Sequence, residues 1–411
     1  MNPKSTFFKQ SCWMIISTTI GGILMWSVHR IASEYLPQSE YGTLGMFLRC
    51  LNLITIPACG LQTAFARQTA ISLTDTERSH LSYLISQISK YIIILWIVCM
   101  LGVCCCFHPI IEILKLSESF VFFAGVTSLL ILLRPIGIGV LQGEQNFLWI
   151  GWTQILDGAI RLGTISLILI FFARTAASSL IGVLGGVVVC IAICLWKIYP
   201  LYMHPRKKCS ISRWCLDLIP ITLGTGIPLF MISADTLIVQ AVFSDKEIAI
   251  YAAAGIVTQA LIFFTIPVTS VMFPKIARNT AYGNRTSVFF LGLGLTAALT
   301  GSVVLGVFLF PKLPIQIMFS SEFLPAAELL PWFALSMFPL ALTTVLINNL
   351  LATGKYVCVY WLWGIAAIYI CVLILKHDSL QQVIAIIGGF NLIMLGVVIY
   401  FNLRSVLLKN N

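Results

Sequence analysis

The sequence predicts an all-α polytopic membrane protein with about twelve transmembrane helices. Of the 411 residues, 59% are hydrophobic and only 10% are charged, and the mean hydropathy is +0.97. A soluble domain has about 45–50% apolar and about 25% charged residues, and a membrane span needs about 20 apolar residues. Outer-membrane β-barrels alternate polar and apolar residues and do not reach this hydropathy. Because hydrocarbon offers no partners for unpaired backbone groups, the apolar runs are predicted to be helices.

The apolar runs are separated by short connections rich in Pro, Gly or charge. The predicted helices cover residues 12–34, 42–65, 83–107, 119–140, 148–172, 178–200, 215–241, 249–273, 287–310, 326–351, 357–376 and 382–403. With the N-terminus inside, fifteen Lys and Arg residues fall on the cytoplasmic side, five fall outside and five lie within spans, which accounts for all 25. This bias predicts an N-in/C-in orientation.

The chain is predicted to contain two repeat-related six-helix lobes. They cover residues 1–200 and 215–411 and are joined by a basic cytoplasmic linker at 201–214. Tyr41 and Pro57 recur 210 residues later, as Tyr251 and Pro267. The segments Leu141–Gly143 and Ala352–Gly354 match at an offset of 211. Six helices is an even number, so both lobes enter the membrane in the same sense, and a substrate route is expected between them.

Two stretches carry a family resemblance. They are Leu36-Pro-Gln-Ser-Glu-Tyr-Gly42 and the run from Asp235 through Tyr251 to Phe273-Pro274. Both resemble the polysaccharide transporter branch of the multidrug/oligosaccharidyl-lipid/polysaccharide exporter (MOP) superfamily, which includes the O-antigen and other lipid-linked oligosaccharide flippases. The second half departs from the usual pattern, with Ala252 in place of the glycine that follows Tyr41.

The resemblance implies a flippase for surface polysaccharide and lipopolysaccharide biosynthesis. Such a protein moves a polyprenyl-diphosphate-linked oligosaccharide from the cytoplasmic to the outer leaflet by alternating access. The expected location is the bacterial cytoplasmic (inner) membrane. The implied partners are the lipid-linked oligosaccharide, membrane lipids and glycan polymerase machinery, and we expect a monomer.

Cations embedded in the predicted spans of the first half point to an anionic cargo. Charges inside a bilayer are costly and are usually functional, and arginine binds phosphate oxygens through two parallel hydrogen bonds. Asn52 lies three residues after Arg49 and extends its helical face. The predicted substrate-binding residues are Arg49, Arg30, Arg161, Arg134 and Asn52.

Other roles stay open for most of these cations. Arg30 and Arg134 lie near predicted helix ends, where their guanidinium groups could reach the lipid headgroups. Asp157 and Arg161 are four residues apart on one helix, so they could neutralise each other. Arg49 is the deepest cation without a nearby carboxylate in the sequence, and we assign it a role in binding the cargo.

A coupling or gating role is predicted for Asp235 and Asp157. Asp235 corresponds to an acidic position that is common in the resembling family. It could bind a coupling ion, H⁺ or Na⁺, pair with an arginine of the other lobe, or act structurally at a helix end. Pro57, Pro267 and Pro228 are predicted hinges, and four helix-weakening residues between Pro220 and Pro228 predict a bend or break in the seventh helix.

Several other functions are less well supported by the sequence. The alternative from the same superfamily is a multidrug or cation antiporter, which the arginine-rich first lobe disfavours. A membrane glycan polymerase or ligase, an enzyme, is disfavoured because the longest outer loop has only about fifteen residues. A non-transporting scaffold is a further alternative. The scattered cysteines favour no metal site, no nucleic-acid motif is present, and no cofactor other than a coupling ion is expected.

Overall fold

The computed structural model describes residues 3–105, 117–281, 287–319 and 323–407. Within these ranges all regular secondary structure is helical. The helices are α1 (Pro3–Tyr35), α2 (Gln38–Ile71), α3 (Asp75–Cys105), α4 (Glu118–Gly143), α5 (Phe147–Phe171), α6 (Ala176–Tyr202), α7 (Ile211–Met231), α8 (Ala234–Val242), α9 (Asp245–Phe263), α10 (Thr265–Ala281), α11 (Ser287–Leu309), α12 (Lys312–Met318), α13 (Ala326–Ala352), α14 (Val357–Leu375) and α15 (Leu380–Leu407).

The predicted fold class is confirmed. Eleven helical stretches of the described chain are long and apolar enough to cross a membrane. The predicted second span lies in α2, which is not among those eleven but has 34 residues. At 1.5 Å per residue α2 is about 51 Å long, and a bilayer core is about 30 Å thick. The protein is therefore a multi-pass helical membrane protein.

The described chain forms two compact units. One comprises Phe8–Leu218, and the other comprises Met1–Phe7 with Ile219–Asn411. In the first unit α6 packs against α4 and α5, and α2 packs against α4. Its core includes Ala32, Ile165 and Leu180. In the second unit the most buried span is α13, which packs against α15, α9 and α11.

The predicted seventh and eighth helices are each two helices in the structure. The seventh is interrupted at Ile232–Ser233, beginning four residues after Pro228, so the break follows the Pro/Gly cluster rather than lying inside it. The eighth is interrupted at Phe264, just before Pro267 in the first turn of α10. Proline has no N–H to donate to the residue four before it, so Pro267 cannot continue the hydrogen bonding of α9. Its repeat partner Pro57 lies inside the uninterrupted α2.

The same capping motif ends α4 and α13. In the first, the Asn146 N–H donates to the Leu141 carbonyl at 2.9 Å, and in the second the Lys355 N–H donates to the Leu350 carbonyl at 2.9 Å. This pattern is a Schellman motif, whose next-to-last residue takes a left-handed conformation. That residue is Gln145 (φ 60°) in one turn and Gly354 (φ 75°) in the other. The structure thus matches these turns at an offset of 209, not at the predicted 211.

Candidate functional site

The first unit contains a buried charge cluster built by α4 and α5. Asp157 Oδ1 accepts a hydrogen bond from Arg161 Nε at 2.7 Å, and Asp157 Oδ2 lies 3.1 Å from Arg134 Nη1. Asp157 and Arg161 are 7% and 6% exposed. One carboxylate therefore holds two guanidinium groups, which leaves a formal charge of +1 on the cluster.

This geometry bears directly on the arginines that are predicted to bind the cargo. The alternative in which Asp157 neutralises Arg161 describes the observed contact, and Asp157 also pairs with Arg134 from the neighbouring helix. Two of the four predicted phosphate-binding arginines are thus engaged by a carboxylate. Their predicted role in binding cargo stays a prediction, and it now requires either the residual positive charge or a rearrangement of the cluster.

Helices α5 and α6 approach closely beside this cluster, and a glycine of α6 leaves the space that the charged side chains occupy. A Cβ atom added to Gly186 of α6 would lie 2.3 Å from Asp157 Oδ1 and 2.7 Å from Arg161 Cγ. Such distances are far shorter than any normal contact, so only glycine fits at this position. Cys190 and Cys194, on the same helix, are also buried.

Three further predicted binding residues belong to α1 and α2. Arg30 is exposed near the end of α1. Arg49 and Asn52 lie in α2, but their side chains are outside the described part of the structure. The binding role of the helical face that Arg49 and Asn52 share therefore stays a prediction.

The second unit contains a buried carboxyl group at the helix break described above. Asp235 is the second residue of α8 and is 1% exposed. The Tyr251 hydroxyl, on α9, donates a hydrogen bond to Asp235 Oδ2. The Tyr251 ring packs against Phe333 of α13, with ring centroids 5.0 Å apart. These residues line a small cavity of about 100 Å³ whose other walls include Ile232 and Met337.

Asp235 is not neutralised by a basic side chain of the described chain. None of the ion pairs formed there includes it, and its Oδ1 atom has no hydrogen-bond partner. The buried Tyr369 hydroxyl on α14 also lacks a partner and interacts electrostatically with Asp235. A buried carboxyl group without a counter-ion is costly in its ionised form, so this site can take up a proton or a small cation.

Sequence reasoning selected Asp235 but missed both tyrosines. Tyr251 served only as a landmark of the repeat, and Tyr369 lies in an apolar run with no distinguishing pattern. The residue type could have pointed to them, because a tyrosine inside an apolar helix usually directs its hydroxyl to a polar partner. Within the described residues no cluster of three or more His, Cys, Asp or Glu side chains could hold a metal ion.

Comparison with known proteins identifies the fold. No protein-family model and no curated protein sequence matches the chain. Solved structures do match over nearly the whole chain. A MATE crystal structure in the straight conformation has 13% identity and a TM-score of 0.79, covering 100% of this chain and 98% of that one. A variant of the Vibrio cholerae MATE transporter VcmN has 15% identity and a TM-score of 0.80, covering 98% and 99%.

A third match concerns a MOP superfamily transporter from Pyrococcus furiosus. It has 14% identity and a TM-score of 0.77, covering 100% of this chain and 97% of that one. The reverse polarity of that protein's binding pocket is described as suggesting a different function. The chain therefore has the fold of the MATE transporters of the MOP superfamily, at identities that show the fold alone.

Proposed function

We propose that this protein is a proton-coupled exporter of amphipathic organic compounds, working by alternating access in the bacterial cytoplasmic membrane. The single observation that carries the proposal is Asp235, a fully buried carboxyl group paired with a tyrosine hydroxyl and with no basic partner in the described chain. Intramembrane carboxyl groups are costly and commonly serve as proton relays in transporters. A group that gains and loses a proton between the two sides of the membrane can couple cargo movement to a proton gradient.

The proton fits this site better than Na⁺. The Tyr251 hydroxyl already occupies one carboxyl oxygen, and Asp235 is the one carboxylate among the described residues that line the cavity. The rest of the wall combines apolar side chains such as Ile232, Phe333 and Met337 with the uncharged polar side chains of Thr236, Thr258 and Gln259. A sodium ion prefers several converging oxygen ligands, whereas a proton needs only the free oxygen. The sequence left H⁺ and Na⁺ as alternatives, and we propose H⁺.

The ion pairs of the first unit also affect which charge the cargo is expected to carry. The sequence argument against a cationic drug was an arginine-rich first lobe that would repel it. Asp157 reduces that charge by pairing with Arg134 and Arg161. The similarity to a multidrug resistance MATE family transporter, with 14% identity and a TM-score of 0.79, supports the same choice. Multidrug or cation antiport is therefore our first proposal.

A lipid-linked oligosaccharide flippase is the second candidate. The observation that favours it is the remaining positive charge of the Arg134–Asp157–Arg161 cluster, which suits an anionic diphosphate headgroup. The proposed partners in that case are the lipid-linked oligosaccharide and glycan polymerase machinery. Both candidates are transporters rather than enzymes, and for both we propose a monomer.

One reconstituted preparation can test both candidates. Full-length protein in proteoliposomes is given a pH gradient and the fluorescent cation ethidium, and separately a fluorescent polyprenyl-diphosphate-linked oligosaccharide whose leaflet is assayed. We expect gradient-dependent ethidium movement that is lost in Asp235→Asn and kept in the control Asp378→Asn, an exposed aspartate. Transfer of the glycolipid between leaflets, blocked by Arg49→Ala, with no movement of ethidium would favour the second candidate. Movement of neither compound would contradict both.

A further inference from the structure

The connection between α6 and α7 presents an unusual concentration of positive charge. Residues 197–214 contain five basic side chains and no Asp or Glu. Arg206, Lys207 and Lys208 are consecutive and exposed. Among the described residues, no carboxylate pairs with any of these three. Their charge is therefore available to an outside partner.

Main-chain and side-chain contacts hold this loop on the start of α3. The Lys207 N–H donates to the Ser79 carbonyl at 3.3 Å, and the Ser82 hydroxyl donates to the His204 carbonyl at 3.1 Å. Ser79 Oγ also lies 3.3 Å from His204 Nδ1. The backbone of the basic triplet is thus fixed before any partner binds, so the loop loses less conformational entropy on binding.

The acidic groups on the neighbouring elements do not cancel this charge. Glu77 of α3 uses its carboxylate to accept the N–H groups of Leu73 and Thr74, both at 2.9 Å. Glu144, in the turn after α4, interacts with Arg78 rather than with the loop. Asp75 is exposed in the first turn of α3. The loop therefore keeps a net positive charge.

The loop also lies at the level of the lipid headgroups. It joins two helical stretches that can cross a membrane, Ala176–Tyr202 and Trp214–Met231, with only eleven residues between them. Aromatic side chains typical of the membrane interface lie beside basic groups at the end of α6 and in the loop. Lys197 Nζ lies 3.8 Å from the Trp196 ring centroid, and the Arg206 guanidinium lies 5.2 Å from that of Tyr202.

We propose that Arg206, Lys207 and Lys208 form a binding site for the headgroups of anionic phospholipids. Basic clusters directly beside a transmembrane helix attract anionic lipids, and each cation contributes about a fivefold preference near the surface. Arg and Lys donors bind the lipid phosphate, while the tie of the loop to α3 keeps the three side chains on one short segment. A membrane is favoured over a soluble polyanion because the segment is flanked on both sides by spans.

The test measures lipid selection by the purified full-length protein. Protein in an uncharged detergent is offered equal amounts of phosphatidylglycerol and phosphatidylcholine, and native mass spectrometry counts the lipids retained. We expect wild-type protein to prefer phosphatidylglycerol, and Arg206→Gln/Lys207→Gln/Lys208→Gln to lose that preference by about tenfold to a hundredfold. The preference should also weaken as salt rises from 0.1 to 1 M, because the screening length falls from about 10 Å to about 3 Å.

Two controls make the result specific. Lys312→Gln/Lys376→Gln removes two exposed cations that are predicted to lie on the other side of the membrane, and it should leave lipid selection unchanged. Lys207→Gln/Lys208→Gln keeps the Arg206–Tyr202 contact and tests the same site if the triple variant folds poorly. Unchanged selection in the folded variants, an equal loss in the Lys312/Lys376 control, or loop-dependent binding of a short RNA without lipid selection would each overturn the proposal.

Discussion

The Tyr251 hydroxyl of α9 donates a hydrogen bond to the carboxyl group of Asp235, in the first turn of α8 and in the interior of the second unit. This contact fixes one carboxyl oxygen and leaves the other, Oδ1, without a partner in the described chain. Only one of the two carboxyl oxygens therefore has a hydrogen-bond partner in the described chain. The Tyr251 hydrogen bond stabilises the ionised form, and the free oxygen can accept a proton, so this arrangement suits the proposed coupling role.

Replacing the donor should weaken coupling. In Tyr251→Phe the carboxyl group loses a hydrogen bond to a charged acceptor, worth about 1.5–3 kcal/mol. We expect gradient-driven ethidium transport to fall by about tenfold or more and its pH profile to move. The matched control is Tyr360→Phe, because Tyr360 is exposed on α14. Equal activity and an equal pH profile in Tyr251→Phe and wild type would remove Tyr251 from the mechanism.

Removing the shared carboxylate of the first unit should be strongly destabilising. Asp157→Asn leaves the guanidinium groups of Arg161 and Arg134 without their carboxylate partner, and breaking a buried ion pair in this way costs about 3–5 kcal/mol. We expect a large drop in the free energy of unfolding measured in mixed micelles. The double variant Asp157→Asn/Arg161→Gln should recover part of the loss, because it removes one of the two stranded charges. No recovery in the double variant would mean that the pairing is not the source of the stability.

Adjacent glycines of α6 offer a sharper test of the same cluster. Gly186→Ala places a Cβ atom 2.3 Å from Asp157 Oδ1, whereas the nearest atom to a Cβ at Gly185 is Ile160 Cγ2 at 3.5 Å. We expect Gly186→Ala to lower the melting temperature by several degrees and Gly185→Ala to leave it nearly unchanged or slightly raise it. Thermal unfolding followed by fluorescence distinguishes the two. Equal behaviour would contradict the packing around Asp157.

The two left-handed turn residues predict opposite effects. Gln145 takes a positive φ that costs a side-chain-bearing residue roughly 1–2 kcal/mol, while Gly354 takes the same conformation without that cost. Gln145→Gly should therefore be neutral or stabilising by up to about 1 kcal/mol, and Gly354→Ala should be destabilising by about 1 kcal/mol or more. Chemical denaturation of both variants in the same micelles provides the measurement. A stabilising Gly354→Ala would contradict the assigned turn geometry.

The sequence was sufficient for the fold class because hydropathy alone determines which segments can cross a bilayer. It also placed Asp157 and Arg161 together, since a spacing of four residues sets a helical contact. It could not place Arg134 beside them, because that contact depends on how α4 packs against α5. The breaks before α8 and α10 were only partly predictable. Proline weakens a helix locally, yet Pro57 is accommodated inside α2 while the chain is interrupted before Pro267.

Prediction from sequence meets the same limit at the proposed coupling site. A carboxylate in an apolar region stands out in a sequence, so Asp235 could be selected. Its hydrogen-bond donor Tyr251 and its neighbour Tyr369 lie 16 and 134 positions further along the chain, on different helices, and only the packing of α8, α9 and α14 brings them near it. The roles of Arg30, Arg49 and Asn52 stay predictions that mutagenesis has to test.

The most direct test of the central claim measures whether proton movement across the membrane depends on Asp235. Proteoliposomes containing a pH-sensitive dye and a preset pH gradient are mixed with ethidium, and the collapse of the gradient is recorded for wild type, Asp235→Asn and Asp378→Asn. We predict that ethidium collapses the gradient in wild type and in Asp378→Asn but not in Asp235→Asn. Ethidium-driven proton movement at the wild-type rate in a folded Asp235→Asn protein would contradict the account.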